Sequence, residues 1–312
     1  MRAWQLAALL MSAVPAAQAM EFAFASVEQG RAILGTRDEY VRATAPLERS
    51  ARLHTVEPVD EERFLRHMQG TVIAWTDQDR QDLRPLLDRL ERFASRLAWK
   101  PPAPVLLIKA SDELEDGLPH TRANAIVVPG SFRRTSPQFL AHVVAHELFH
   151  ILSRETPGAR EQLYAAIGFR PCASLEIPDA TARLRVTNPD APLHRHTIAV
   201  RYQGQPVEAL PYPQFTSESI DPRAGFKSQV RAGWLLVERK AGDCKVSASQ
   251  APVEAEQLEG LFEQVGRNTQ YLWHPEEILA ENFAVLFFAR LRGNTAGVPT
   301  PDILNKMQQI LY

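Results

Sequence analysis

The chain has 312 residues, 45% apolar and 23% charged, and its 35 Lys and Arg against 37 Asp and Glu give a formal net charge of −2. That is ordinary globular composition, long enough for a core without staples, and it excludes disordered, collagen-like and disulfide-dense chains. Near-neutral charge, with no run of five like charges, argues against nucleic-acid binding through bulk electrostatics, and 2 Cys exclude a thiolate zinc cluster.

The start reads as an export signal over residues 1–19. Met1-Arg2 is a short positive start, and Ala3 to Val14 is mostly Ala, Leu, Trp and Met. Ala17-Gln18-Ala19 then places small residues where a signal peptidase reads them. Gln5, Pro15 and Gln18 interrupt the run, which is too short for a membrane anchor. Cleavage after Ala19 and a periplasmic or secreted location are expected, with no membrane span afterwards. In such an oxidising setting Cys172 and Cys244 are expected to join, closing a loop of about 70 residues worth roughly 4 kcal/mol.

Residues 20–100 form a helical, charge-laced N-terminal region. In Asp77 to Leu90, opposite charges three and four apart between leucines describe amphipathic surface helices. Pro101-Pro102 marks a boundary, and residues 101–312 form the remaining domain. Pro104–Lys109 and Ala125–Val128 read as two short buried strands separated by a polar loop. Ser136 caps and Pro137 opens a helix that runs to about Glu155, where Thr156-Pro157-Gly158 stops it. A short helix from Gly158 to about Gly168 follows. Text rich in Pro, Gly and strand formers then runs to about Thr269 and includes His196–Tyr202 and Trp234–Glu238. The stretch of about 158–269 is therefore a β-rich insertion. Pro275–Arg292 is a strong helix closed by Gly293, and Thr300-Pro301 starts a last one. The pattern predicts an α+β fold.

The helix opened by Pro137 carries the chemistry. His146 and His150 are four apart, about 40° from each other around the axis, so two imidazoles can bind one metal ion. Glu147 is offset by about 100°, able to reach a water on that metal without ligating it. The flanks are apolar, and unpaired His and Glu buried there would cost several kcal/mol. A catalytic zinc needs a third protein ligand. Ser153 and Thr156 stand where a metzincin would have Gly and His, which excludes that branch. The helix after Pro275 offers a carboxylate instead: Glu277 and Glu281 stack four apart among Leu, Phe and Val, and like charges so placed want a cation between them. His194 and His196 would share a strand face, but isolated surface His are commoner there. His120 and His142 read as structural.

At these residues the sequence resembles the gluzincin-type zinc metallopeptidases, whose second helix carries a ligand Glu followed four residues later by Asp or Glu, as in Glu277-Ile278-Leu279-Ala280-Glu281. The resemblance implies a zincin-like fold with one zinc ion per chain. It implies that His146, His150 and Glu277 are the ligands. Glu281 would bond a ligand His, or else be the ligand in place of Glu277. Relatives often use a Tyr or His shortly before the ligand Glu to stabilise the oxyanion, and Tyr271 and His274 occupy that place. A zincin cleft commonly binds extended peptide along an edge strand, for which Ala125–Pro129 is the candidate. The implied activity is hydrolysis of a peptide or protein, with Glu147 as general base and acid. The rivals are a zinc amide hydrolase acting on cell-wall material and a zinc-containing binding protein that turns over nothing. Exposed aromatics near Tyr202 or Tyr212 would favour extended polymeric substrates.

Overall fold

Runs of Val, Leu and Ile build the two inner strands of the central sheet, and a computed structural model describes residues 20–100, 104–246 and 251–312. The signal-like segment 1–19 and the Pro101-Pro102 boundary lie outside the described residues. The chain begins with β1 (Phe22–Phe24), followed by α1 (Val27–Leu34), α2 (Glu39–Ala43), α3 (Pro46–Arg52), α4 (Glu61–Gly70) and α5 (Asp77–Ala94). Next come β2 (Val105–Ala110), β3 (His120–Arg122) and β4 (Ala125–Pro129), then α6 (Pro137–Glu155) and α7 (Pro157–Ala166). The four strands form one sheet in the order β1-β2-β4-β3, parallel except for β3. The N-terminal region thus supplies a strand as well as helices. Phe22 of β1 and Leu83, Leu87 and Leu90 of α5 pack in the same core as Leu148 and Phe149 of α6.

Ala125–Pro129 is not the edge strand expected from the sequence. β4 lies inside the sheet between β2 and β3, and β3 is the edge. The physical reason is a tight turn: Ala123, at φ 50, lets His120–Arg122 fold back and pair with β4. Three residues as polar as His-Thr-Arg carry no strand periodicity, so the sequence shows only a loop there.

The expected insertion contains β5 (Phe169–Pro171), β6 (Leu175–Glu176), α8 (Asp179–Arg183), β7 (His196–Tyr202), β8 (Gln205–Pro211) and β9 (Gln214–Phe215). It continues with β10 (Val230–Arg231), β11 (Trp234–Lys240), β12 (Asp243–Val246) and β13 (Leu258–Glu259). Seven of these strands form a second sheet, ordered β13-β7-β8-β11-β12-β6 with β5 also paired to β7. The Cys172–Cys244 disulfide staples it, at a Cα–Cα distance of 5.7 Å. Tyr212 is buried in this unit, 0% exposed, so it is no surface aromatic, and Tyr202 is only half-buried. The chain closes with α9 (Leu261–Val265), α10 (Pro275–Arg292) and α11 (Pro301–Leu311). Gly293, at φ 74, takes the left-handed turn that ends α10. The fold is α+β. Among the described residues no helix is long and apolar enough to cross a membrane.

Candidate metal centre

Local sequence sets the two helices that matter. Ser136 caps α6 by accepting from the Phe139 N–H, and Pro137 sits at its first position. From Val144 to Ser153 every residue of α6 is buried, so His146, Glu147 and His150 lie inside the protein. α10 is also buried almost all round and packs on α6, with the rings of Phe149 and Phe283 5.5 Å apart. Burial on all sides presses Glu276, Glu277 and the two imidazoles together.

His146 and His150 meet Glu277 at the crossing. The Glu277 carboxylate lies 3.0 Å from His146 Nε2 through one oxygen and 3.5 Å from His150 Nε2 through the other. All three residues are buried, and a metal ion could be held among them. The spacing suits one. Two ligand atoms at about 2.0–2.1 Å from a tetrahedral zinc stand about 3.3 Å apart. The His150 Nε2 atom is buried and has no hydrogen-bond partner, a cost of about 1–3 kcal/mol that a metal would relieve. The donor set therefore fits a divalent cation.

A further layer fixes the two rings. His150 Nδ1 lies 3.1 Å from Glu276 Oε1, while the other Glu276 oxygen accepts from Ser153 Oγ at 2.8 Å and from the Tyr164 hydroxyl at 2.6 Å. His146 Nδ1 lies 2.9 Å from Glu281 Oε1, an ion-pair distance that is off the line of an ideal N–H bond and leaves that nitrogen otherwise unpartnered. The same Glu281 carboxylate lies 3.2 Å from His142 Nε2. Each imidazole thus has a carboxylate behind it, which sets the tautomer that leaves Nε2 free to ligate.

The charges are strongly coupled. Burial opposes protonation of both rings, but Glu277 and Asp190 raise His150 to about 9, and Glu277 and Glu281 raise His146 well above its usual value. Burial would raise the acids too, yet His150 and His146 hold Glu277 at about 2, and His142 and His146 hold Glu281 at about 2. The carboxylates demand positive charge at this point. Protons can supply it, and so can a divalent cation that leaves both imidazoles neutral.

Glu147 is buried beside this group, with Oε2 unpartnered. Burial, and then the charge of Asp190, push its carboxyl up to about 8. Glu147 and Tyr271 line a cavity of about 340 Å³ that His146, Glu277, Phe139 and Trp273 also border. Tyr271 is 37% exposed, and its ring centroid is 6.4 Å from that of His146. Crowding, with the charge of Glu277 and Asp190, keeps its phenol well above the usual range, so it stays a donor.

His274 does not join them. Its Nδ1 accepts from the Glu276 N–H at 3.0 Å, and its Nε2 lies 3.2 Å from the Leu193 carbonyl. Both ring nitrogens are engaged, so it caps α10 and has no free donor for an oxyanion. His194 and His196 do not converge either: His194 Nδ1 faces the Pro211 carbonyl, and His196 Nε2 faces Glu161. His142, one turn before His146, contacts Glu281.

Glu276, Asn188 and Asp190 are the site residues the sequence did not point to. Glu276 had a visible signal, a third acid at the start of a helix whose other faces are apolar. Asn188 and Asp190 had none, because they arrive from the insertion. Comparison with protein-family models, curated proteins and solved structures finds no match for this chain.

Proposed function

We propose that the protein is an exported zinc-dependent peptidase of zincin-like fold, holding one zinc ion between His146, His150 and Glu277. The observation that carries this reading is the convergence of those three side chains beside a buried, unpartnered Glu147. When bound, zinc would lower the pKa of a water toward 7 and polarise a peptide carbonyl. Glu147 would take the proton of that water and return it to the leaving amine. Tyr271 would donate its O–H to the carbonyl oxygen as that oxygen gains charge. Glu276 and Glu281 would hold the imidazoles in register. A base placed within reach of the metal ligands has no use in a purely structural site, and this favours catalysis over binding alone. The signal-like start and the disulfide both suit an oxidising compartment.

The test combines zinc content by mass spectrometry with cleavage of a peptide library. Wild type and Glu147→Gln should each hold about one zinc, while Glu147→Gln cleaves nothing and Glu277→Ala loses the metal. Cleavage that survives in Glu147→Gln would sink the mechanism, and full zinc in Glu277→Ala would move the third ligand to Glu281.

A further inference from the structure

β3 ends the central sheet, and its middle residue, Thr121, turns its backbone N–H away from β4. An extended chain adding to this edge would need that donor. Asp190 Oδ1 already holds it, at 2.6 Å from Thr121 N and 2.5 Å from Thr121 Oγ1. Two residues earlier, Asn188 Nδ2 donates to Glu277 Oε1 at 2.5 Å, the oxygen that also faces His150 Nε2. One loop thus engages both the edge strand and the candidate metal ligand.

The same loop divides the cleft. Pro189 and Asp190 border the cavity of about 340 Å³ beside Glu147 and Tyr271, and also one of about 530 Å³ beside His150, Glu276 and Arg154. Its two ends are fixed. Upstream, Thr187 N–H donates to Glu48 at 2.8 Å and the Thr187 carbonyl accepts from buried Arg52 at 2.7 Å. Downstream, the Arg195 carbonyl accepts from the N–H of disulfide-bonded Cys172 at 2.8 Å. Between these anchors, two side chains make the contacts to the sheet and to Glu277, and the Leu193 carbonyl accepts from His274 Nε2 at 3.2 Å, a bond that the loop must also give up to move. Pro189 and Pro192 have no N–H to give, so the loop cannot settle into a ladder on β3.

Resting on the peptidase reading, we propose that residues 188–193 are a built-in occupant of the substrate track. Asp190 meets β3 at Thr121, and Asn188 meets the candidate ligand Glu277. An extended peptide binds by lifting them away, taking over the Thr121 N–H and joining the two cavities into one cleft. The loop therefore keeps the resting protein closed.

Hydrogen exchange on the full-length, zinc-loaded chain tests this, with a peptidyl hydroxamate as the probe. Saturating probe should speed exchange of the 188–194 amides severalfold while Thr121 stays protected. Unchanged or slower exchange over 188–194 with the probe bound overturns the proposal. In parallel, the double variant Asn188→Ala/Asp190→Ala should bind the hydroxamate about tenfold more tightly than wild type, because the ligand no longer has to break the loop's hydrogen bonds. Equal or weaker binding at full zinc content also overturns it. Wild type that holds zinc and binds the probe yet cleaves no peptide would fail the peptidase reading and leave the exchange result to decide the loop. Wild type without zinc would overturn both.

Discussion

Glu276 is the residue whose removal should say most about the centre. It is 3% exposed and carries three contacts: His150 Nδ1 at 3.1 Å, Ser153 Oγ at 2.8 Å and the Tyr164 hydroxyl at 2.6 Å. Glu276→Gln keeps the shape and halves the acceptors. With its amide oxygen toward Ser153 and Tyr164, the NH2 group faces His150 and forces Nδ1 to accept. The ring proton then moves to Nε2, the atom that should bind the metal. Loss of such an outer partner weakens metal affinity about 10–100-fold, which is about 1.4–2.7 kcal/mol. The assay is zinc competition against a fluorescent chelator at pH 7, with circular dichroism to show that the variant folds. Ser153→Ala is the control, since it leaves the carboxylate facing His150 and should cost less than about fivefold. A Glu276→Gln affinity within twofold of wild type would show that Glu276 does not orient His150 and serves only in packing.

Three further outcomes follow from features away from the ligands. Replacing Cys172 and Cys244 with Ala opens a loop with a sequence separation of 72, so denaturant unfolding should show a loss of about 4 kcal/mol from chain entropy; a loss under 1 kcal/mol would mean the second sheet is held by its ladder alone. Arg52 is 5% exposed and pairs with Glu48 at 2.7 Å and with Glu115, so Arg52→Ala strands two buried carboxylates. It should cost about 3–5 kcal/mol in urea unfolding, and a cost below 1 kcal/mol would contradict that account. Burial holds His120 at about 4, below its usual value, so the unfolded chain binds its proton first as pH falls. Stability from this residue is therefore intact above pH 6.5 and falls toward pH 4, by about 2 kcal/mol between pH 7 and 5. His120→Leu should remove that slope relative to wild type, and an identical pH dependence in both would show that His120 titrates normally.

Much of the site was legible because helices write their geometry locally. His146 and His150 share a face through spacing alone, Pro137 and Gly293 mark the helix ends, and the acids of α10 stand out against Leu and Phe. The edge of the sheet was not legible. Three polar residues of β3 look like a loop until β4 pairs with them, because a strand this short has no period to show. His274 looked like an oxyanion donor by position, and only the meeting with the Leu193 carbonyl revealed that both its nitrogens are engaged.

By itself, the sequence marked out the two helices that carry the candidate metal ligands, Glu147 between two of them and the pair of cysteines, since each depends on residue type and short-range spacing. Tertiary structure decided which acid faces which imidazole: Glu277 toward both Nε2 atoms, Glu276 behind His150 and Glu281 behind His146. Neighbouring acids on one helix differ by about 100° of rotation, and only the packing of α10 on α6 chooses among them. It also decided that Asn188 and Asp190 lie over the centre, because the β-rich insertion folds back from far along the chain and no local pattern records where such a loop lands.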